Sequence, residues 1–303
     1  MITIIITSYR EPKSTQKAID SFLQQNIPKP FKIIVADPFP EIEELILNQY
    51  KNHPEVEYFE DPDQGKSFAL NLLLKKSWSS NPEDILIFTD GDVYTSNNSV
   101  HEILSQFKDK ETGIVCGHPT TINPRTNKFG YWSHLLFDEM NKTRKALAQN
   151  KEFFEVSGYL FAMRNSIIKE FPIAASEDNV LPIMFWQQGY KVGYAEQALV
   201  YVMNPQNKQD WINQKKRNIK GHIALSSLFP DFKRRKNTML GESLRGLKIL
   251  FSYPRSIKEF FWTISLMFAR LQVWRLAKQE SKSRQYQDGW RGEAETPTTR
   301  ILD

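Results

Sequence analysis

Two aspartates flank a single glycine, Asp90-Gly91-Asp92, at the end of the apolar run in "ILIFTDGDVY". Carboxylates at i and i+2 can present hard oxygen ligands side by side, which suits Mg2+ or Mn2+ and, through the metal, a diphosphate. Aspartate and glycine also build ordinary solvent-exposed turns, so the tripeptide does not choose by itself. Its place after a buried-looking strand favours the metal, because ligands of α/β sheets bind beyond strand ends. A second acidic pair, Glu177-Asp178, opens a helix behind Ser176. Acids there complement the helix dipole and the cap, and one of them can also serve as general base toward an acceptor hydroxyl. In "DPDQGKSFALN", Gly65-Lys66 begins a helix whose first amides and lysine favour an anion. Gln214 and Arg217, three apart in "QKKRN", share a helical face. Arg217 could pair there with a leaving diphosphate, although such a pattern is commonly a solvated basic face.

The elements that must position these groups alternate. Short apolar runs at 3–7, 32–36, 55–59, 84–89 and 113–117 read as strands, each bounded by turn residues. Amphipathic stretches at 14–25, 41–51, 66–77 and 99–108 read as the helices between them. Repeated strand–helix–strand order predicts an α/β fold with a mostly parallel central sheet and helices on both faces. The residues at the first four strand exits are Ser8-Tyr9-Arg10-Glu11, Asp37-Pro38, Glu60-Asp61 and Asp90-Gly91-Asp92. Carboxylates therefore converge on one edge. Further along, "EVSGYLFAMRN" predicts a strand and turn; after the helix opened by Glu177, which Gly189 ends, two more strands are expected.

The 303 residues suffice for one sizeable core and an appended segment. The single cysteine, Cys116, excludes an internal disulfide and sits in an apolar run as an inert core residue. The opening "MITIIITSYRE" lacks a basic region and a small-residue cleavage site, so it reads as a buried strand and the expected location is cytoplasmic. Charge is uneven. Residues 205–303 carry 20 Lys+Arg against 9 Asp+Glu, leaving 20 against 26 for residues 1–204. The basic last third predicts an anionic partner.

Seven segments in order, "ITIIITSYRE", the strand ending at Asp37, "DQGKSFALN", "FTDGD", "VSGYLFAMRN", "SEDNVLPIMFWQQGYKVGYAEQALV" and "QKKRNIKG", resemble glycosyltransferase family 2 over about residues 2–222. The resemblance implies a GT-A (nucleotide-diphospho-sugar transferase) fold and an inverting glycosyltransferase using a nucleotide sugar, a UDP-sugar foremost, with Mn2+ or Mg2+. It implies that Thr7, Tyr9, Glu11 and Asp37 hold the nucleoside, with Asp37 accepting from the base. Gly65 and Lys66 match the motif beside the donor sugar and phosphates. Asp90 and Asp92 match the metal and diphosphate motif, Asp92 on the metal and Asp90 on ribose or sugar. Ser157-Gly158 resemble the acceptor-side loop, Asp178 beside Glu177 matches the catalytic base, and Gln214 and Arg217 match the first and fourth positions of QxxRW. Asn218 replaces the tryptophan of that motif, which argues for transfer of one or a few sugars over long-polymer synthesis. The expected organisation is a catalytic domain at 1–222, with a nucleotide-sugar half at about 1–118 and an acceptor half at about 119–222. A basic amphipathic extension at 223–280 and a disordered tail at 281–303 follow.

Within the extension, Ile257, Phe260, Phe261, Ile264, Met267, Phe268, Leu271 and Trp274 recur at helical spacing and predict one broad apolar face. The stretch is too short to span a bilayer of about 30 Å. Flanked by Lys233–Lys236, Arg245, Lys248 and Arg255, it fits an anionic membrane surface on the inner face of the cytoplasmic membrane, as would suit a lipid-linked or glycan acceptor. Packing on the catalytic domain, or on a twin in a homodimer, is the competing expectation. No nucleic-acid partner is expected, since the basic residues accompany an apolar stripe and no nucleic-acid module is present. Two other activities compete with this reading. A sugar nucleotidyltransferase needs a glycine-rich loop after its first strand, where this chain has "TSYREPKS". A non-catalytic nucleotide-sugar-binding protein has no need of both acidic pairs and Arg217.

Overall fold

The computed structural model describes residues 1–232, 249–280 and 299. The basic run 233–236, Arg245, Lys248 and the expected tail at 281–303 lie outside the described residues. Four strands, β1 (Ile2–Thr7), β2 (Phe31–Asp37), β3 (Val56–Glu60) and β4 (Ile85–Asp90), alternate with helices α1 (Pro12–Leu23), α2 (Pro40–Gln49) and α3 (Lys66–Lys76). After β4 come β5 (Tyr94–Thr95), α4 (Ser99–Gln106), β6 (Thr112–Thr121), α5 (Lys128–Gln149) and β7 (Leu160–Arg164). Then follow α6 (Glu177–Gln187), β8 (Lys191–Val202), α7 (Lys208–Leu228) and α8 (Ile257–Glu280).

All eight strands form one sheet in the order β3-β2-β1-β4-β7-β6-β8-β5. Helices cover both faces, and the period of two along β1 shows why. Ile4 and Ile6 enter the core on one side and Ile5 the core on the other, all fully buried. Burying each such side chain is worth about 1.5–3 kcal/mol. The pairings of β1 with β2, β1 with β4, and β2 with β3 are parallel, which brings Thr7 opposite Asp90 and Asp37 opposite Glu60 at one end of the sheet.

The sheet is mixed beyond β4. Antiparallel β7 lies between β4 and β6, pairing Thr89 with Leu160. This reversal delivers Ser157-Gly158-Tyr159, just ahead of β7, to the end where β4 terminates. The two strands expected after Gly189 are one 12-residue strand, β8, which pairs with β6 through a register shift and so reads locally as two. α5, 22 residues long, was not singled out by sequence; it packs across β6 and β8 and forms the seat for α8.

The C-terminal helix departs from its expected orientation. Leu266, Ala269, Val273 and Ala277 face inward, against Trp211, Ile212 and Ile219 of α7 and Tyr131, Trp132 and Leu135 of α5. Arg125 grips Glu259 through two hydrogen bonds of 2.8 and 3.0 Å, Trp132 Nε1 donates to the Trp262 carbonyl at 2.8 Å, and the Tyr131 and Thr263 hydroxyls lie 2.6 Å apart. None of the eight residues of the predicted apolar face is buried: Ile257 is 80% exposed, Phe261 62% and Phe268 67%. The helix is apolar on two sides. One docks on α5 and α7, with Trp274 partly buried at its edge, and the other, carrying Ile257, Phe261 and Phe268, faces out. No described helix is long and apolar enough to cross a membrane.

Candidate active site

Asp90 is the last residue of β4, and Gly91 follows with its amide donating to the Thr7 carbonyl at 2.7 Å. The glycine is demanded by proximity. A Cβ there would lie 2.4 Å from Ser8 Cβ, so only a bare backbone lets the β1 and β4 exits run this close. Asp92 lies just beyond, its Oδ1 buried without a hydrogen-bond partner. Burial above all, then Asp90 and Glu11, push its pKa up to about 8 against the opposing pull of Lys66. A buried carboxylate oxygen left unsatisfied is costly. A divalent cation would both satisfy it and cancel the repulsion. Among the described residues no three His, Cys, Asp or Glu side chains gather as a metal cage. Two carboxylates with open remaining positions match Mg2+ or Mn2+ sites completed by substrate phosphates, so the donor set fits such an ion.

Lys66 ties the two halves together. It is the first residue of α3, set by Gly65, whose φ of +107° is a conformation side chains rarely adopt. Its ammonium lies 2.6 Å from Asp90 Oδ1 and 2.7 Å from Glu177 Oε1, with side-chain exposures of 18, 11 and 4% respectively. Burial works against the charge, but the two carboxylates override it and hold the ammonium well above its ordinary pKa. Sequence reasoning placed Lys66 at a helix start facing an anion; the structure fills that role with the protein's own carboxylates. Thr7 Oγ1 adds a 3.3 Å hydrogen bond to the same Asp90 oxygen.

Asp178 stands beside Glu177 in the first turn of α6. Ser176 occupies the N-cap position, but its hydroxyl does not cap the helix. The Gly158 amide donates to Asp178 Oδ2 at 3.1 Å, whereas Oδ1 is buried and has no partner. Burial first, then the neighbouring Glu177, raise the Asp178 pKa to about 7; Ser176 and Lys66 oppose the rise. A carboxylate with one anchored oxygen, one vacant oxygen and a pKa near neutrality has the properties of a general base.

The other expected residues distribute as follows. Asp37 is fully buried and accepts from the Ser8 hydroxyl, from the Arg10 amide at 2.9 Å and from the Phe39 amide at 2.8 Å. Burial pushes its pKa up, with those donors opposing. The carboxylate expected to accept from a nucleobase is thus turned inward, where it holds Arg10 at a φ of +57° and shapes the β1 exit. Tyr9 packs edge-on against Phe39, 5.0 Å between centroids. Glu11 occupies the N-cap position of α1 without a capping side-chain hydrogen bond, within electrostatic reach of Asp92. Ser157 is buried in the turn leading to β7. Gln214 is buried on α7 with Oε1 unsatisfied, and Arg217 acts electrostatically on Tyr159.

Tyr159 itself was missed. Its hydroxyl is held neutral by burial and by Asp92, Asp90 and Asp178, with Arg217 opposing, which places it among all four groups. Its position after "VSG" hinted at the acceptor loop, but only the antiparallel return of β7 brings it opposite the β4 exit.

A mixed α/β sheet with acidic strand exits, an amide-held carboxylate and a cationic helix behind them defines a nucleotide-sugar-transferase class of architecture. Residues 3–171, more than half the chain, match the model of glycosyl transferase family 2, and the chain belongs to that family. It is a glycosyltransferase with the GT-A fold. Among solved structures, it is similar to the mannosyltransferase PcManGT from Pyrobaculum calidifontis in complex with GDP-Man and Mn2+, at 15% identity and a TM-score of 0.62, covering 93% of this chain and 79% of that one. TarS 1–349 of S. aureus in complex with UDP-GlcNAc aligns at 14% identity and a TM-score of 0.49, over 94% of this chain and 92% of that one. No curated protein matches the chain in sequence.

Proposed function

We propose that this glycosyltransferase moves a sugar from a nucleotide diphosphate sugar, a UDP-sugar foremost, to an acceptor hydroxyl with inversion, in glycan, polysaccharide or glycolipid synthesis. One observation carries the reading: Lys66 joins Asp90, beside the vacant Asp92 oxygen, to Glu177, beside the vacant Asp178 oxygen. A diphosphate-binding end and a base therefore share one cluster. The Mn2+ and GDP-Man bound by PcManGT support a divalent cation and a nucleotide-sugar donor here.

Asp92 and Asp90 would hold a divalent cation, which neutralises the donor diphosphate when bound. Thr7, Tyr9 and Glu11 border the donor, and Asp37 acts through the loop it anchors. Lys66 and Arg217 pair with charge that develops on the diphosphate as the anomeric C–O bond breaks. Asp178 Oδ1 takes the proton of the acceptor hydroxyl, whose oxygen forms the new bond to the anomeric carbon from the opposite face. An α-linked donor gives a β-linked product, the nucleoside diphosphate departs with the bonding electrons, and Asp178 returns its proton to solvent. Gly158 keeps Oδ1 aimed by holding Oδ2, and Ser157 fixes the turn. The outward face of α8, with exposed Lys258 and Arg275, supports peripheral contact with an anionic membrane; a second copy of the chain is the rival occupant.

Thermal shift with a panel of nucleoside diphosphates and nucleotide sugars, with and without Mn2+, tests the donor site. A ligand at 100 times its Kd should stabilise by about 2.7 kcal/mol, and Asp92→Asn should lose the Mn2+-dependent part. If no nucleotide stabilises the protein in Mn2+, the donor-site assignment is wrong.

A further inference from the structure

We infer that Arg144 is a positioning residue for the transfer reaction: its guanidinium grips the two peptide groups ahead of the Ser157-Gly158 turn and so aims the Gly158 amide that holds Asp178. The inference rests on the reading of Asp178 as the base, and adds to it a residue of α5 that acts through the main chain.

Arg144 is a buried charge, 8% exposed, and no carboxylate among the described residues pairs with it. A guanidinium in that position is expensive unless its donors are used. Two are used on the main chain: Nε donates to the Glu155 carbonyl at 3.3 Å and Nη2 to the Val156 carbonyl at 3.0 Å, whereas Nη1 is buried without a partner. Nε and Nη2 form one rigid planar edge, so a single group sets two successive peptide planes against each other. The next peptide carries the Gly158 N–H, which donates to Asp178 Oδ2 at 3.1 Å. Only the Ser157 Cα stands between the gripped peptide and the one that holds the carboxylate. The far side of the turn is tied separately, by the Leu160 amide to the Ser157 carbonyl at 3.2 Å and by the Thr89 hydroxyl to the Tyr159 carbonyl at 2.7 Å. Arg144 fixes the side by which the chain enters.

A second buried arginine provides the contrast. Arg164, 3% exposed, donates to the carbonyls of Thr112, Pro82, Phe107 and Asp109. It lies at the other end of β7, in register with Ile85 at the start of β4, whereas Asp90 and the site lie where β4 ends. Its grip holds the sheet together without reaching Asp178, which makes it the structural control. The groups that act on Asp178 are Glu177 and Ser176 at the start of its own helix, Lys66 of α3 and Glu155, with Tyr159 and Cys116 alongside; none of them is substituted in Arg144→Lys.

The test follows the Gly158 amide by 1H–15N NMR of the full chain, identified as the glycine signal that titrates in the parent and not in Asp178→Asn. In the parent it should move with pH through about 7. Arg144→Lys keeps a cation and loses the planar fork; Arg144→Gln, neutral, is the second variant. In both, the movement should shrink and its midpoint rise by about 0.5–1 in pH, the worth of one hydrogen bond to the ionised form. Release of nucleoside diphosphate from UDP-glucose, UDP-GlcNAc or GDP-mannose in Mn2+, with water as acceptor, should fall about ten- to a hundredfold in kcat, as a displacement of about 1 Å can cost, while the Mn2+-dependent rise in Tm stays unchanged. Arg164→Lys should lower Tm and leave the Gly158 titration and kcat in place. A Gly158 titration like the parent's in both Arg144 variants, full turnover in both, or the same change in Arg164→Lys would overturn the proposal. Normal turnover in Asp178→Asn defeats the base reading, whereas parent-like Arg144 variants beside an inactive Asp178→Asn defeat this inference alone.

Discussion

Asp178→Asn separates catalysis from stability and moves them in opposite directions. The folded carboxyl keeps its proton up to about pH 7, whereas in the unfolded chain it ionises around its ordinary 3.8. Between those limits the folded state binds more protons, so stability falls as pH rises, and above pH 7 the whole penalty is present. At 1.36 kcal/mol per pH unit the full displacement amounts to about 4 kcal/mol. Partial exposure and the coupling to Glu177 and Lys66 reduce this to about 1–3 kcal/mol. Asparagine retains an oxygen for the Gly158 amide and loses the charge, so the variant should be more stable than the parent at pH 8 by that amount and equal to it near pH 4. Denaturant melts at the two pH values measure this. Transfer should fall by about 10²–10⁴, the usual worth of a general base, while nucleotide sugar with Mn2+ still raises Tm. In the parent, kcat/KM should climb with pH through about 7 as Asp178 ionises. Near-normal turnover in the variant, or no gain in stability at pH 8, would refute the argument.

Lys66→Met leaves Asp90 and Glu177 without their shared cation, and breaking a buried ion pair costs about 3–5 kcal/mol; urea melts should register it, and stability equal to the parent would disprove the bridge. Gly91→Ala drives a methyl to 2.4 Å from Ser8 Cβ, which should cost about 1–3 kcal/mol of overpacking and weaken Mn2+-dependent donor binding measured by calorimetry. Tyr159→Phe removes a hydroxyl that has no hydrogen bond among the described residues, so stability should change by less than about 0.5 kcal/mol. Steady-state kinetics should show kcat/KM lowered about three- to tenfold, the loss of one hydrogen bond to substrate; unchanged kinetics would place Tyr159 outside the site.

What could be read in the sequence was what local pattern controls. The first four strands and three helices emerged from apolar runs and turn residues, and parallel pairing then forces Asp37 and Asp90 onto one edge. The antiparallel return of β7 leaves no such mark, because "YLFAMR" is an apolar run compatible with either direction; Tyr159 was missed for that reason. Side-chain partnership is equally silent. Asp37 and Asp92 are both aspartates just beyond or at strand ends, yet one meets three protein donors and the other keeps an unsatisfied oxygen. One of those three donors is the amide of Arg10, which has a positive φ.

The helix α8 shows how a correct pattern can be assigned to the wrong side. Its large residues, Phe261, Phe268 and Ile257, mark an apolar face, but its docked face is made of the smaller Ala269, Val273 and Ala277 with Leu266. Small residues let α8 approach the bulky Trp132 and Trp211 side chains, so partner volume, not helix hydrophobicity, decided which side was buried. Ranking by hydrophobicity selects the opposite face. The same holds for "QKKRN": Lys215, Lys216 and Arg217 look alike as a basic run, and only the tertiary setting makes Arg217 act electrostatically on Tyr159 while Lys215 feels the charges of Arg270 and Arg217.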